Sequence, residues 1–171
     1  PELAGSVVLD LSRMKKIEFD EANGVVTLEP GVGFYDLYDY LQQHKLPFWL
    51  STPGNSWGSV IGNALDRGVG YTPYGENTKN LCGLEVVLPT GEVVRTGMGA
   101  FTNAPTWGVY PFGFGPGWDQ MFVQSNFGIV TKANMWLMPE PESLMGMDVE
   151  YDKPEDLKAM VDTIGPLRRE R

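Results

Sequence analysis

The stretch from Ser51 to Gly75, STPGNSWGSVIGNALDRGVGYTPYG, constrains this chain more than any other. It holds six glycines in 25 residues, and Asp66 and Arg67 are its only charged side chains. So little charge rules out a solvated linker. Trp57, Val60, Ile61, Ala64, Leu65, Val69, Tyr71 and Tyr74 are interleaved with the glycines and are expected to be buried. Glycine permits positive φ and lets a backbone approach its neighbour closely. Successive N–H groups in such a loop form anion-binding concavities without a lysine. Two readings stand: a backbone cradle for a large, flat, phosphate-bearing ligand, or a tightly packed set of turns.

The rest of the composition narrows the partners. A chain of 171 residues can bury a real core. The net charge of −9 argues against nucleic acid, whose phosphates demand basic patches. The single cysteine, Cys82, excludes an internal disulfide and fits a reducing compartment, leaving cytoplasm and periplasm open. One histidine, His44, excludes histidine-clustered metal sites, and no metal is expected. No apolar run approaches the roughly 18 residues of a membrane helix, and no signal sequence opens the chain.

Periodicity predicts an α+β domain. Val7–Leu11 and Val25–Leu28 read as strands, with Asn23-Gly24 turning into the second. Apolar residues at 34, 37, 38 and 41 predict an amphipathic helix over Phe34–Gln43, ended by Pro47. Leu84–Leu88 and Glu92–Thr96 flank Pro89-Thr90-Gly91 as a hairpin, and Ile129–Met138 reads as a buried strand. Runs of strands with few helices favour α+β over a doubly wound sheet. Two prolines at 139 and 141 mark a link. Beyond it, Leu144–Tyr151 reads as a strand, and Asp152–Glu155 has the shape of a capping box. The helix after it is expected to stop at Gly165-Pro166.

Two motifs carry less than they promise. Gly31-Val-Gly33 follows a strand and opens a helix, but Asp36 replaces the third glycine of a dinucleotide fingerprint. Asp36 and Asp39 lie opposite the helix's apolar stripe, on a solvated face. His44 is expected to be exposed at that helix's C-terminus, where a cation is favoured.

GSVIGNALDRGVGYTPYGEN (Gly58 to Asn77) resembles the flavin-contacting segment of the vanillyl-alcohol oxidase and para-cresol methylhydroxylase family, which includes 4-cresol dehydrogenase and eugenol oxidase. SVVLDLSRMKKI, VTLEPGVGFYDLYDYL, GLEVVLPTGEVVRTGMGA and FGFGPGWDQMFVQSNFGIVTKANMWLMPEP match it in the same order. The resemblance implies FAD and a para-substituted phenol as substrate. It also implies a middle fragment of a longer protein: residues 1–138 as the second flavin subdomain, 139–143 as a linker, and 144–171 as the first strand and helix of a substrate cap.

Residue by residue, the resemblance places the loop of Pro53, Gly54, Asn55, Gly58 and Ser59 against the flavin ring and pyrophosphate, continued by Gly62 and Asn63. Asp66 matches an acidic position near the adenosine, and Gly68 and Gly70 let the backbone pass close by. Tyr71 matches a tyrosine lining the flavin and substrate cavity and is the catalytic candidate. Its phenol and that of Tyr74 also suit a flat wall with an O–H handle, or simply a core tyrosine. The backbone of Gly128, Ile129 and Val130 matches a run meeting the adenine. The implied reaction is hydride transfer from a 4-alkylphenol or 4-hydroxybenzyl alcohol to flavin, through a quinone methide. The oxidase branch has aspartate where this chain has Gly54. That favours the dehydrogenase branch, which passes electrons to a cytochrome c subunit, and it leaves open an oxygen-using oxidase, an incomplete FAD-binding fragment and a homo-oligomer. A flavoprotein for 2-hydroxy acids or sugar lactones shares only the shorter EPGV and GIVT elements.

Overall fold

The computed structural model describes Gly5, residues 7–54 and residues 56–169. Its contacts divide the chain after Glu140 into two units.

In the first unit the strands β1 (Ile17–Asp20), β2 (Val25–Leu28), β4 (Leu81–Val87), β5 (Val93–Arg95) and β6 (Ile129–Trp136) form one antiparallel sheet. Its order is β1-β2-β6-β4-β5, so β6, the last in sequence, sits at the centre. A two-residue pair, β3 (Phe48–Trp49) with β7 (Met138–Pro139), lies apart from it. Helices α1 (Phe34–Gln43) and α2 (Val60–Leu65) supply the other side of the core. Phe34, Leu37 and Leu41 of α1 and Val60, Ile61 and Ala64 of α2 pack with Val26, Leu28, Leu84, Val86, Ala133 and Met135 of the sheet. An antiparallel sheet with few helices is the α+β architecture that the periodicity predicts.

The hairpins follow from local chemistry. Gly24 takes φ 63° between β1 and β2, and Gly91 takes φ 86° between β4 and β5. The second turn closes through Gly91 N–H to the Leu88 carbonyl at 2.8 Å and Leu88 N–H to the Glu92 carbonyl at 2.9 Å. The turn into α1 explains Gly31: a Cβ there would stand 2.6–2.7 Å from the carbonyls of Met14, Leu11 and Ser12. Asp36, in place of the third fingerprint glycine, accepts from Gly33 N–H at 2.9 Å and from Lys15 at 3.0 Å, bonds that hold its carboxyl below the usual range. His44 caps the helix's C-terminus, exposed, with Nδ1 2.8 Å from the Tyr40 carbonyl.

Four expectations fail. Val7–Leu11 is not a strand: Val7 is 91 % exposed, and no strand among the described residues pairs with the segment. The chain instead turns, with Ser12 N–H on Asp10 and Met14 N–H on the Leu11 carbonyl. In the second unit, Leu144–Tyr151 forms no strand either, and the described residues there offer no partner for one. The expected capping box is absent. Pro154 opens a 3-10 turn that runs into α3 (Leu157–Arg169), which continues through Gly165-Pro166. Proline there forfeits one N–H bond near a helix end, where the chain has only one more turn to carry.

A glycine strip and a polar knot

Ser59 starts the site. Its hydroxyl donates to the Pro30 carbonyl at 2.6 Å and accepts from Gly62 N–H at 3.0 Å, capping α2 and tying it to the turn before α1. A bridge between Gly33 and Ser59 and a bond from Val60 N–H to the Val32 carbonyl complete that attachment. Helix α2 is one the sequence reading passed over as part of a cradle. It ends at Asp66, and Arg67 takes φ 57°, so that Gly68 N–H reaches the Asn63 carbonyl at 2.8 Å.

The glycines of the stretch divide into two sets. At Gly58 a Cβ would meet nothing within 4 Å, at Gly54 only the Tyr71 hydroxyl at 4.0 Å, and at Gly62 only the Ser59 side chain, 3.3 Å away at its nearest. Gly54, Gly58 and Gly62 are exposed and form a strip of bare backbone. The other set faces inward. A Cβ on Gly68 would fall 2.1 Å from the Asn63 amide, one on Gly70 2.2 Å from Ser51 Oγ, and one on Gly75 2.6 Å from the Gly70 carbonyl. Both readings of the glycine-rich run are therefore present in one loop: an open strip and a set of packed turns.

The knot behind the strip is polar. Asn77, with no exposed surface, donates from Nδ2 to the Ser51 carbonyl at 3.2 Å and to Asn63 Oδ1 at 2.8 Å. Thr78 donates to the Ala64 carbonyl at 2.6 Å, and Asn77 N–H reaches the Gly68 carbonyl at 3.2 Å. Ser51 Oγ and Asn77 Oδ1 are buried without a partner. Ser51 and Asn77 escaped the sequence reading because nothing in their spacing signals burial.

The interleaved apolar residues behave unequally. Val60, Ile61 and Ala64 are buried, whereas Trp57 is 84 % and Tyr71 87 % exposed, and Val69 is exposed too. Burial was expected for all of them. Only the inward face of α2 meets the sheet, and the loops on either side turn their rings outward. Trp57 packs edge-on against Tyr35, with ring centroids 5.1 Å apart. Tyr71 is brought to Gly54, and Tyr74 is half-buried. Asn55 lies outside the described residues.

Asp66 is linked to a distant segment. Gln124 N–H donates to the Leu65 carbonyl at 2.9 Å, and its amide to Asp66 Oδ1 at 3.3 Å. Gly128, Ile129 and Val130 follow, entering β6 beside Val86 and Val87. Gly128 is required there, since a Cβ would lie 2.5 Å from Val86 Cγ1.

Against that segment stands a buried carboxylate that the sequence did not flag. Asp119 accepts from Gly83 N–H at 3.2 Å and from the Thr96 hydroxyl. Burial pushes its carboxyl up, and these two bonds only partly pull it back. It also helps burial raise the Cys82 thiol to about 12. Asp119 borders an apolar pocket of about 520 Å³ lined by Phe101, Phe114, Trp118, Met121 and Phe127. Among the described residues no cluster of His, Cys, Asp or Glu could hold a metal, and no helix is long and apolar enough to cross a membrane.

A bare backbone strip flanked by exposed flat rings suits a large planar ligand with a diphosphate, whose oxygens can take main-chain N–H groups. FAD fits these residues. Comparison with known proteins agrees. The chain is 44 % identical over 170 residues to the 4-cresol dehydrogenase [hydroxylating] flavoprotein subunit of Pseudomonas putida, covering 98 % of this chain and 33 % of that protein. A crystal structure of p-cresol methylhydroxylase with substrate bound superposes with a TM-score of 0.92 at 45 % identity, covering 96 % of this chain and 32 % of that one. The 4-ethylphenol oxidase from Gulosibacter chungangensis, in complex with isoeugenol, gives 0.84 at 38 % identity, covering 91 % and 30 %. The chain thus spans about a third of the length of these relatives. A family model described as FAD binding domain matches residues 2–97, more than half of the chain, and the chain belongs to that family.

Proposed function

We propose that this chain is the part of a flavoprotein that holds FAD against a para-substituted phenol. The observation that carries the cofactor half is the strip of Gly54, Gly58 and Gly62, whose missing side chains leave open space where every inward glycine is filled. Gly54, Asn55, Gly58 and Ser59 would hold FAD chiefly through main-chain N–H groups, with Pro53 packed against it, Gly62 letting it approach closely and Asn63 continuing the contact through its side chain, and with Asp66 and Gly128, Ile129 and Val130 toward the adenosine. Bound there, FAD supplies the hydride acceptor. The chain's own part is to orient and to exclude water. Tyr71, exposed beside Gly54, offers a flat wall and an O–H donor to a phenolic substrate.

The dehydrogenase branch is the finer reading, supported by Gly54, which puts no carboxylate beside the Tyr71 hydroxyl. A relative that is itself a flavoprotein subunit favours a second subunit, a cytochrome c, as electron acceptor. The similarity to a 4-ethylphenol oxidase keeps oxygen as the alternative acceptor. Residues 1–138 would be the second flavin subdomain, 139–143 a linker, and 144–171 the start of a substrate cap.

Anaerobic mixing of the whole FAD-loaded protein with 4-alkylphenols or 4-hydroxybenzyl alcohols should bleach the flavin absorbance. The corresponding methyl ethers, which cannot form a phenolate, should leave it unchanged. Equal rates with the ethers, or reduction by lactate instead, would move the function to another flavoprotein class. Gly62→Val adds bulk beside only Ser59. It should fold and lose FAD, and a folded variant with stoichiometric FAD would remove the strip from the site.

A further inference from the structure

We infer that Asn77, which has no surface of its own, is a positioning residue for the cofactor: it turns the Asn63 amide so that Nδ2 is the donor presented to FAD. The inference rests on the FAD reading above and adds to it a residue and a polarity.

The argument is a relay of fixed polarities. An asparagine amide has one end that donates and one that accepts, and only its partners decide which way it points. The Ser51 carbonyl can only accept, so the Asn77 atom 3.2 Å from it is the nitrogen, Nδ2. That same nitrogen lies 2.8 Å from the Asn63 amide, which must therefore present its oxygen to Asn77. Asn63 is left with Nδ2 on its free side. Among the described residues this Nδ2 has no acceptor, and it is not among the buried unpaired atoms, so part of its surface stays open to a ligand.

Two further observations show that the orientation is held firmly. Asn77 keeps it although Oδ1 is thereby left buried without a partner, an arrangement that costs folding free energy. Gly68 runs so close beneath the Asn63 amide that a Cβ there would lie 2.1 Å from either of its end atoms, so the amide is stacked on bare backbone. A donor held in this way matches the carbonyl and phosphate oxygens of FAD, which can only accept.

A double-mutant cycle in FAD affinity, read by quenching of flavin fluorescence, tests this. Asn63→Ala removes the donor without adding charge and keeps a strong helix former in α2. It should weaken FAD about 10-fold, the worth of one good hydrogen bond. Asn77→Ala frees the Asn63 amide to turn over and should weaken FAD by a comparable factor. The double variant should be no weaker than Asn63→Ala alone, because Asn77 acts only through Asn63. Should Asn77→Ala not fold, Asn77→Leu takes its place: it is close in volume, can neither donate nor accept, and leaves the Asn63 amide free to turn over. Melting temperatures without FAD separate folding from binding. Asn63→Ala binding as tightly as wild type would overturn the relay, as would losses that multiply in the double variant. Wild type that takes up no FAD would refute the cofactor reading itself, and the relay with it.

Discussion

Two glycine-rich segments of this chain, residues 51–80 and 96–128, share a composition and differ in what their glycines do. In the first, the inward glycines press against polar groups of their own loop, Asn63, Ser51 and the Gly70 carbonyl, and the outward ones face open space. In the second, the neighbours are mixed: rings at Gly99 and Gly117, the Gly97 backbone at Gly113, Asn134 at Gly108 and Val86 at Gly128. A Cβ on Gly99 would lie 2.5 Å from the Trp107 ring, while Gly97, Gly108 and Gly115 take positive φ of 59°, 94° and 93°. Only one charged side chain, Asp119, occurs between Arg95 and Lys132, and it is buried. The first segment folds around an amide network and keeps a bare edge. The second folds its rings around a single buried carboxylate. A count of glycines reports neither; what a Cβ would strike reports both.

The largest effect should come from crossing the two sets of the first segment. Gly70→Ala places a methyl 2.2 Å from Ser51 Oγ and 2.9 Å from the Ser51 main chain, where backbone must give way. It should cost about 3 kcal/mol, the upper range for overpacking. Urea unfolding of that variant reads the loss directly, and a wild-type midpoint would mean that the knot is far softer than its distances imply.

Asp119→Asn should come next, at about 1–3 kcal/mol, because one of the two donors now on the carboxylate loses its acceptor. Its pH dependence sharpens the contrast between segments. Burial raises the Asp119 carboxyl above its ordinary value. As pH falls from neutral toward 4, the folded chain therefore takes up that proton before the unfolded chain does, and wild type gains stability that the asparagine variant does not. The gap between the two should widen in acid. Glu85 moves the other way. Burial would raise it, but bonds from Arg95, Lys132 and Thr131 hold it below its ordinary value, so its stabilisation is lost only below about 4.5 and is common to both proteins. A gap that narrows in acid would show that Asp119 is not the group titrating.

The smallest effect belongs to the open strip. Gly58→Ala meets nothing within 4 Å and should change stability by no more than about 0.5 kcal/mol. If its melting temperature moves as far as that of Gly70→Ala, the division into open and packed glycines does not hold.

Much of this was legible beforehand, where local chemistry decides. The spacing of Phe34, Leu37 and Leu41 predicted α1 to the residue, and Pro89-Thr90-Gly91 predicted the β4–β5 hairpin. Helix α2 was hidden because six residues give too little periodicity, with Gly62 in their midst. Val7–Leu11 and Leu144–Tyr151 have strand composition but, among the described residues, no strand to pair with, and pairing is not a local property. Asn77 and Asp119 look like surface residues in sequence; only the tertiary structure removes them from water. Trp57 and Tyr71 err in the opposite sense, apolar in type and exposed in fact.

The position of β6 sets a timetable for the chain as it is made. The Thr27 hydroxyl bonds Asn134 across 107 residues, and β6 must also pair with β4 before the sheet is whole. Closing a loop of that length costs roughly 4 kcal/mol by the (3/2)RT ln n rule, all of it needed before the central contacts repay it. At typical synthesis rates the strand edge of β2 waits on the order of 5–20 seconds for its neighbour. During that interval the charge-poor aromatic segment 96–128 leaves the ribosome ahead of the strand that will cover β4. A nascent chain of this protein is therefore most exposed to mispairing just before β6 arrives, when the facing edges of β2 and β4 are unpaired and its least charged stretch is already out.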